Sequence, residues 1–229
     1  MLARFHRALD GLQHRFANPR LGVHDTDRHL ARLRSALSDH QNHPRYRDVK
    51  PLARQILDLA GELDRLRPMP DRIVHGDPKI NNMLFDPISG AGRALVDLDT
   101  VGMMPLPLEL GDAFRSWCNP AGEDDRSGEF SVELFAAGLE GYVSVAAGWL
   151  TADELVEVIP AVRTIITELA ARFCADALYE DYFGWDPERF SSRSEHNQVR
   201  AAGQLALARS LEGRRLELER VVNRVLVSI

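Results

Sequence analysis

The stretch that decides the fold is His75-Gly76-Asp77-Pro78-Lys79-Ile80-Asn81-Asn82, which is followed further along the chain by Val96-Asp97-Leu98-Asp99. Ile73 and Val74 indicate the end of a short buried strand just before the first of these segments. The Gly-Asp-Pro step then favours a loop, because proline fixes its own backbone angle and disfavours helix in the residue before it. We therefore expect Asp77 on a loop at the end of a strand.

Two short apolar runs flank a turn-rich segment directly after this loop. Met83-Leu84-Phe85 precedes the segment 86–92, which contains one proline and two glycines, and Ala94-Leu95-Val96 follows it. Apolar runs separated by such turn residues predict a β-hairpin. The hairpin would return the chain so that Asp97, at the end of its second strand, faces the loop of the first motif.

The polar residues of the two segments are types that phosphoryl transfer requires. Transfer from a nucleotide needs a carboxylate to orient the attacking hydroxyl and oxygen ligands that keep Mg²⁺ on the phosphates. Asp77, Asn82 and Asp97 can fill these roles, because Mg²⁺ prefers oxygen ligands and keeps several waters. Lys79, one of two lysines in the chain, could reach the transferring phosphoryl group as a point charge.

The full pattern H-G-D-x-K-x-x-N resembles the catalytic loop of the kinase-like fold shared by aminoglycoside phosphotransferases, choline kinases and small-molecule sugar kinases. The resemblance implies that Asp77 is the catalytic base and that Lys79 contacts the phosphate. It also implies that Asn82 and Asp97 bind Mg²⁺ beside the co-substrate ATP.

Two neighbours of these residues have more than one interpretation. We group His75 with the catalytic residues, although a histidine that braces the loop by hydrogen bonds is the more expected role, since the base is the carboxylate beside it. Asp99 is a further candidate metal ligand, and the alternative is that it only hydrogen-bonds the loop backbone.

A closer resemblance is to the N-acetylhexosamine 1-kinases, which phosphorylate the anomeric hydroxyl of N-acetylglucosamine or N-acetylgalactosamine. Val96-Asp97-Leu98-Asp99-Thr100-Val101 resembles the I-D-L-D-T-V run of that group, and Leu110-Gly111-Asp112-Ala113-Phe114-Arg115 resembles its F-G-D-x-I-R segment. The similarity continues through 167–173 and spans most of the chain, from about residue 2 to about residue 211.

This closer resemblance also implies residues that support or contact the substrate. Asp112 and Arg115 would support the catalytic loop or the sugar pocket. Arg172 and Tyr182 would be candidates for contact with the sugar, and the alternative for both is packing at the edge of the core.

The expected fold class is mainly α with a small β-hairpin (α+β), as in the C-terminal lobe of a protein-kinase-like fold. We expect one structural unit over residues 1–229. Hydrophobic periodicity predicts helices over residues 1–16, 25–38, 44–67 and about 195–227, with a break near Gly213. A helix through Asp112 and Arg115 should follow a proline-rich loop at 104–107, and a capping box at Thr151 predicts another helix from Ala152. The polar segment 119–127 is expected to be a mobile loop.

The segment before His75 lacks the glycine-rich loop, the strand lysine and the helix glutamate of a nucleotide-binding lobe. We therefore expect the chain to be the C-terminal lobe alone, with the N-terminal nucleotide lobe absent. The exposed cleft edge would then favour self-association or a missing partner lobe, and the isolated chain should turn over little or no ATP.

Composition limits the partners. A net charge of −6 and a pI near 5.8 disfavour a nucleic-acid partner, which usually meets a basic face. Two isolated cysteines form neither a disulfide framework nor a metal-binding spacing, and a cytoplasmic location fits them best. The chain has no long apolar run and no charged-then-apolar leader, so we expect neither a membrane partner nor a signal peptide.

Three functions remain open at this point. The first is a small-molecule kinase, most expected for an N-acetylated amino sugar, with an aminoglycoside or another small alcohol as the alternative acceptor. The second is an inactive remnant or partner-binding lobe that keeps the motif without kinase activity. The third is a metal-dependent hydrolase, which is the least expected because the histidines show no HExxH or HxxEH spacing.

Overall fold

Helices make up most of the chain, and the strands form two small sheets. The computed structural model describes residues 1–17 and 22–227. Its helices are α1 (Leu2–Leu9), α2 (Thr26–Asp39), α3 (Tyr46–Ala60), α4 (Leu106–Trp117), α5 (Val132–Ala146), α6 (Ala152–Val156), α7 (Val158–Tyr179), α8 (Arg193–Gly213) and α9 (Arg215–Leu226). Its strands are β1 (Asp71–Val74), β2 (Met83–Phe85), β3 (Gly92–Leu95) and β4 (Gly102–Pro105). The predicted fold class, mainly α with a small β-hairpin, is confirmed.

Each of the two sheets is an antiparallel pair. β2 pairs with β3 as the predicted hairpin, and β1 pairs with β4 so that Ile73 lies opposite Met103. The prediction of a proline-rich loop over residues 104–107 is therefore wrong, because Met104 and Pro105 belong to β4 and α4 begins directly at Leu106. Pro105 is the last residue of β4, so its missing N–H removes no hydrogen bond from the interior of the sheet. The pairing of β1 with β4 brings the chain after Asp97 back beside the catalytic loop.

The long helix α7 forms the centre of the fold. It packs against α8, α4, α2 and α3. Nearly all of its residues are buried, which is typical of a helix surrounded by others. One apolar cluster includes Phe114, Phe130 and Phe135, and a second includes Leu33, Ile56 and Phe173. Because α7 contacts helices from both ends of the chain, it can carry side chains that meet both the catalytic loop and the N-terminal segment.

Several helix boundaries differ from those predicted. α1 ends at Leu9 instead of continuing to residue 16, because Gly11 adopts a left-handed φ of 73° and leaves Leu12 exposed. α3 ends at Ala60 instead of residue 67, and Gly61 follows as the capping residue. Asp25 caps α2 by accepting the Arg28 N–H at 3.0 Å. The predicted capping box at Thr151 and the break after Gly213 are also observed.

The polar segment 119–127 is anchored instead of projecting freely. Its Asp125 carbonyl packs against α8 at Gly203, where a Cβ atom would overlap that oxygen. Asp124 accepts hydrogen bonds from His196 Nε2 at 2.8 Å and Arg200 Nε at 2.7 Å, both on α8. These contacts disagree with the expected mobile loop, and they fix the neighbouring Glu123 at the edge of a cavity.

Among the described residues, no helix has both the length and the apolar character needed to span a bilayer.

Candidate active site

The catalytic loop brings the three predicted phosphoryl-transfer residues together. The chain leaves β1 at Val74, passes through a 3₁₀ turn at Ile80–Asn82 and enters β2. Asn82 donates through Nδ2 to the Asp77 carbonyl at 2.8 Å and to Asp77 Oδ2 at 3.1 Å. The same nitrogen lies 3.4 Å from Asp97 Oδ2. The hairpin therefore returns Asp97 to the loop, as its length and turn predicted.

Lys79 pairs directly with the proposed base. Its Nζ lies 2.5 Å from Asp77 Oδ2. Burial by itself lowers the pKa of Lys79, but the hydrogen bond and charge of Asp77 outweigh it and the pKa is raised. Lys79 is therefore a firmly charged group beside the carboxylate, and it adds positive charge where a phosphoryl group would approach.

The residues at the end of the hairpin are of types that bind divalent cations, although the described residues contain no preformed group of three or more acidic, histidine or cysteine side chains that could hold a metal. Asp97 adopts a left-handed φ of 67°, an uncommon conformation for a residue with a side chain. The hydrogen bond that Asp97 shares with the Asp99 carboxyl is the largest cause of its raised pKa, and desolvation and the negative charges of Asp99 and Asp77 act in the same direction. Asn82 uses its nitrogen within the loop, so its amide oxygen is the atom that could bind a metal. Clustered carboxylates beside an amide oxygen are suitable Mg²⁺ ligands.

His75 braces the loop by hydrogen bonds to the backbone. The ring is buried, with Nε2 2.9 Å from the Val96 carbonyl and Nδ1 3.4 Å from the Asp77 N–H. Because a carbonyl only accepts, Nε2 must carry the proton and Nδ1 must be the acceptor. Both ring nitrogens are thus engaged, which agrees with the bracing role and leaves neither of them open for proton transfer.

A buried carboxylate that the sequence did not single out fixes the backbone of the loop. Glu109 on α4 is fully buried and accepts the N–H groups of His75 and Gly76, each at 3.0 Å. His6 on α1 also lies 3.2 Å from its carboxylate. Glu109 therefore ties the catalytic loop to two helices through charge-assisted hydrogen bonds.

Gly76 allows the loop to pass close to the segment after Asp97. Its φ is 83°, and a Cβ atom would overlap the carbonyl oxygen of Thr100. The Thr100 hydroxyl in turn donates to the His75 carbonyl at 2.7 Å. A residue without a side chain is required at this position.

We expect Gly76→Ala to lower the free energy of unfolding by more than about 2 kcal/mol, because strain from the left-handed backbone adds to the overlap with Thr100. Gly90→Ala is the matched control, since Gly90 has a φ of 68° but open space around it. The control should cost about 1 kcal/mol from backbone strain alone. Urea unfolding of both variants measures the difference, and equal losses would show that the approach of Thr100 is unimportant.

A cavity of about 590 Å³ opens beside Asp77 and Lys79. Its walls come from the loop before α2, the catalytic loop, α4, the anchored segment 119–127, α7, the segment between α7 and α8, and α8 itself. The cavity is lined by charged, polar and aromatic side chains, among them His24, Asp112, Arg115, Glu123, Asp124, Glu168, Arg172, Tyr182, Phe183, Trp185, His196 and Arg200. The four predicted support and contact residues, Asp112, Arg115, Arg172 and Tyr182, therefore lie in one cavity with the proposed base.

Two comparisons with known proteins bear on this site. Residues 1–154 match the model of a family described as the phosphotransferase enzyme family, APH. The match covers more than half of the chain and includes the catalytic loop and the hairpin. The chain belongs to this phosphotransferase family.

The fold is also similar to a solved structure, a choline/ethanolamine kinase family protein from Mesorhizobium loti. The two chains are 16% identical with a TM-score of 0.52, and the match covers 98% of this chain. The aligned region spans 65% of the length of the M. loti protein. The similarity confirms the predicted kinase-like fold class.

Within this candidate site, Asp112 and Arg115 form one buried network on α4. Arg115 donates from NH2 to Asp112 Oδ1 at 2.6 Å and also pairs with Glu123. Burial alone would raise the pKa of Asp112, but the charges of Arg115 and His24 outweigh it and the pKa is lowered. Asp112 is thus an ionised group at the cavity wall, as the support role requires.

Arg172 and Tyr182 face each other across the aromatic end of the cavity. The Arg172 guanidinium lies 5.7 Å from the Tyr182 ring centroid and 5.5 Å from that of Phe183. Asp176 shapes this end by accepting the N–H groups of Asp181, Tyr182 and Phe183 at 2.9 to 3.0 Å. The contact roles of Arg172 and Tyr182 stay predictions, and the structure places both where a bound molecule could reach them.

Several residues of the site were missed by sequence reasoning. Their partners lie far away in the sequence: Glu109 pairs with the backbone of His75, and His24 pairs with Glu168. Glu109 offered one signal, because it is an acidic residue inside the apolar run of α4, where burial demands a partner. His24 offered none, since a lone histidine before a helix cap carries no spacing pattern.

Proposed function

We propose that this phosphotransferase moves the γ-phosphoryl group of ATP to the anomeric hydroxyl of an N-acetylhexosamine. The observation that carries the proposal is the position of the Asp77 carboxylate, which lies beside Lys79 in the wall of a cavity large enough for a sugar. Asp77 would orient the hydroxyl and accept its proton. Lys79 would stabilise negative charge on the transferred group.

Asn82 and Asp97 would bind Mg²⁺, with Asp99 as a further candidate beside Asp97. When bound, Mg²⁺ supplies positive charge that offsets the charge on the phosphate oxygens. The chain's own contribution is to keep these oxygens close together, since Asn82 links Asp77 and Asp97 through one amide nitrogen.

The charges of the cavity favour a neutral acceptor over a polycation. The cavity is lined by many carboxylates, but nearly all have a cationic partner within the protein. Glu168 pairs with His24, Asp124 with Arg200 and His196, and Arg115 satisfies both Asp112 and Glu123. A polycationic acceptor such as an aminoglycoside would need carboxylates that are not already neutralised. A sugar carrying hydroxyl and amide groups needs hydrogen-bond partners instead.

The far end of the cavity suits the apolar face and acetamido group of such a sugar. Tyr182, Phe183 and Trp185 line this end and offer aromatic surface. Arg172 makes no ion pair with the part of the chain that the structure describes, so its N–H donors remain open to a carbonyl or hydroxyl oxygen. These features support the resemblance to N-acetylhexosamine 1-kinases.

We further propose that residues 1–229 form the lobe that carries the catalytic loop and the acceptor pocket. Large apolar side chains are exposed around the hairpin and the following strand: Leu84, Phe85, Ile88, Leu98 and Met103. Exposed apolar residues grouped near a site often mark an interface. A nucleotide-binding lobe that covers this edge would complete the ATP site.

The test is ATP consumption with Mg²⁺ and a panel of N-acetylglucosamine, N-acetylgalactosamine, kanamycin and choline. We would assay residues 1–229 and any longer product of the same gene. Turnover that depends on an N-acetylhexosamine is the expected result. Turnover only with kanamycin or choline would overturn the sugar assignment, and failure of every acceptor with every product would favour a non-catalytic, partner-binding lobe.

A further inference from the structure

His24 lies in the acceptor cavity in an arrangement that none of the motifs explains. Its Nδ1 lies 3.1 Å from Glu168 Oε1 on α7, and both side chains line the cavity that contains Asp77. Glu168 is 1% exposed and also accepts the Thr26 hydroxyl at 3.2 Å. A carboxylate this deeply buried needs such partners, so the position of the His24 ring is set by Glu168.

The second ring nitrogen of His24, Nε2, has no partner within the described part of the chain. Nε2 makes no hydrogen bond with residues 1–17 or 22–227, although the side chain is only 8% exposed. Since the ring lines the cavity, Nε2 is the atom through which His24 can meet a bound molecule.

The surroundings of His24 favour its charged form. Burial by itself lowers the pKa of His24, but the hydrogen bond and charge of Glu168 and the charge of Asp112 on α4 outweigh it. Arg172 on α7 acts in the opposite direction, and the net result is a pKa raised above the usual 6.5. A protonated imidazole donates from both nitrogens, so Nε2 would present an N–H to the cavity.

We propose that His24 binds the acceptor through a hydrogen bond from Nε2 to one of the acceptor's oxygens, and that Glu168 positions the ring. The inference rests on the proposed function and adds a specificity residue to the same cavity. It requires an acceptor with a hydroxyl or carbonyl oxygen at the end of the cavity that faces α7. A compound without an oxygen there would leave a buried N–H donor unpaired and would bind more weakly.

Two substitutions separate the two nitrogens of the ring. In His24→Asn, the amide nitrogen can replace Nδ1 toward Glu168 while nothing replaces Nε2. In His24→Gln, the amide nitrogen lies near the position of Nε2 while the contact with Glu168 is lost. His29→Asn is the control for the surroundings of His24, because His29 Nε2 lies 2.9 Å from the Val23 carbonyl and 3.7 Å from the same Glu168 oxygen but does not line the cavity.

Binding is measured without ATP, by calorimetry with N-acetylglucosamine and by ¹⁵N-histidine NMR of the 229-residue chain. We expect His24→Asn to weaken N-acetylglucosamine binding about tenfold or more, as for loss of a hydrogen bond from a charged donor. His24→Gln should lose less affinity, and His29→Asn should change it little. The Nε2 resonance of His24 should shift when the sugar is added.

The pH profile is a second readout that a purely structural residue would not move. Because the folded pKa of His24 is raised, the bond is fully present below about pH 6.5 and is lost as pH rises through the raised value. Affinity should therefore fall with rising pH in the wild type, and this fall should be absent in His24→Asn. The groups facing His24 are Glu168, Arg172, Asp112 and, on α2, Thr26 and His29.

The outcomes distinguish the inference from the proposed function. Binding of kanamycin but not N-acetylglucosamine, with a shift of the His24 resonance, would support the role of His24 and overturn the sugar assignment. Unchanged affinity in His24→Asn would overturn the role of His24 even if the sugar is phosphorylated. Equal losses of affinity in His24→Asn and His29→Asn would also overturn it. The same holds if none of the four panel compounds shifts the NMR resonance of His24.

Discussion

Replacing Asp77 by asparagine is expected to lower kcat for phosphoryl transfer by about 10³-fold, which lies within the range for loss of a general base. The substitution keeps the size of the side chain and can still accept the hydrogen bond from Asn82 at 3.1 Å. It removes the charge that pairs with Lys79 at 2.5 Å and the group that would accept the proton of the acceptor. The loss should therefore appear in kcat, with little change in the affinity for nucleotide or in stability.

The measurement uses the form of the protein that consumes ATP in the acceptor panel. Asp153→Asn is the control, because Asp153 is 80% exposed on α6 and lies outside the cavity lining. Its kcat should equal that of the wild type. If Asp77→Asn keeps a kcat within about threefold of the wild type, Asp77 is not the base and the proposed chemistry fails.

The catalytic loop and hairpin could be predicted from the sequence because their signals are local. Pro78 and the glycines of the turn restrict the backbone within a few residues, and the apolar runs on each side have the length of short strands. Asp77, Asn82 and Asp97 are therefore brought together by neighbouring turns. Predicting that these three residues lie close together requires no knowledge of how distant helices pack.

The rest of the site could not be predicted in this way, because it depends on contacts between distant segments. Glu168 meets His24 only after α2 packs on α7, and Glu109 meets His75 only after α4 packs behind β1. The end of α1 was missed for a different, local reason. Apolar periodicity continued past Gly11, but a left-handed glycine ended the helix whatever followed it.

Glu109→Ala is expected to lower the free energy of unfolding by about 3 to 5 kcal/mol, since it removes one partner from a buried charged network. Two buried N–H groups of the catalytic loop, from His75 and Gly76, would lose their acceptor, and His6 would lose the carboxylate 3.2 Å from its ring. Glu109→Gln should recover only part of the loss. Its amide nitrogen is a donor, and it would face a backbone N–H group that needs an acceptor.

Urea unfolding measures this loss, and Glu140→Ala is the control. Glu140 is 49% exposed and pairs with Arg224 at the surface, so its removal should cost less than about 1 kcal/mol. Turnover by Glu109→Ala under fully folded conditions tests the catalytic consequence, since a loop with unpaired N–H groups should misplace Asp77 and lower kcat. A stability loss near that of Glu140→Ala would show that water replaces the carboxylate, and the loop would then be fixed by Thr100 and His75 instead of by α4.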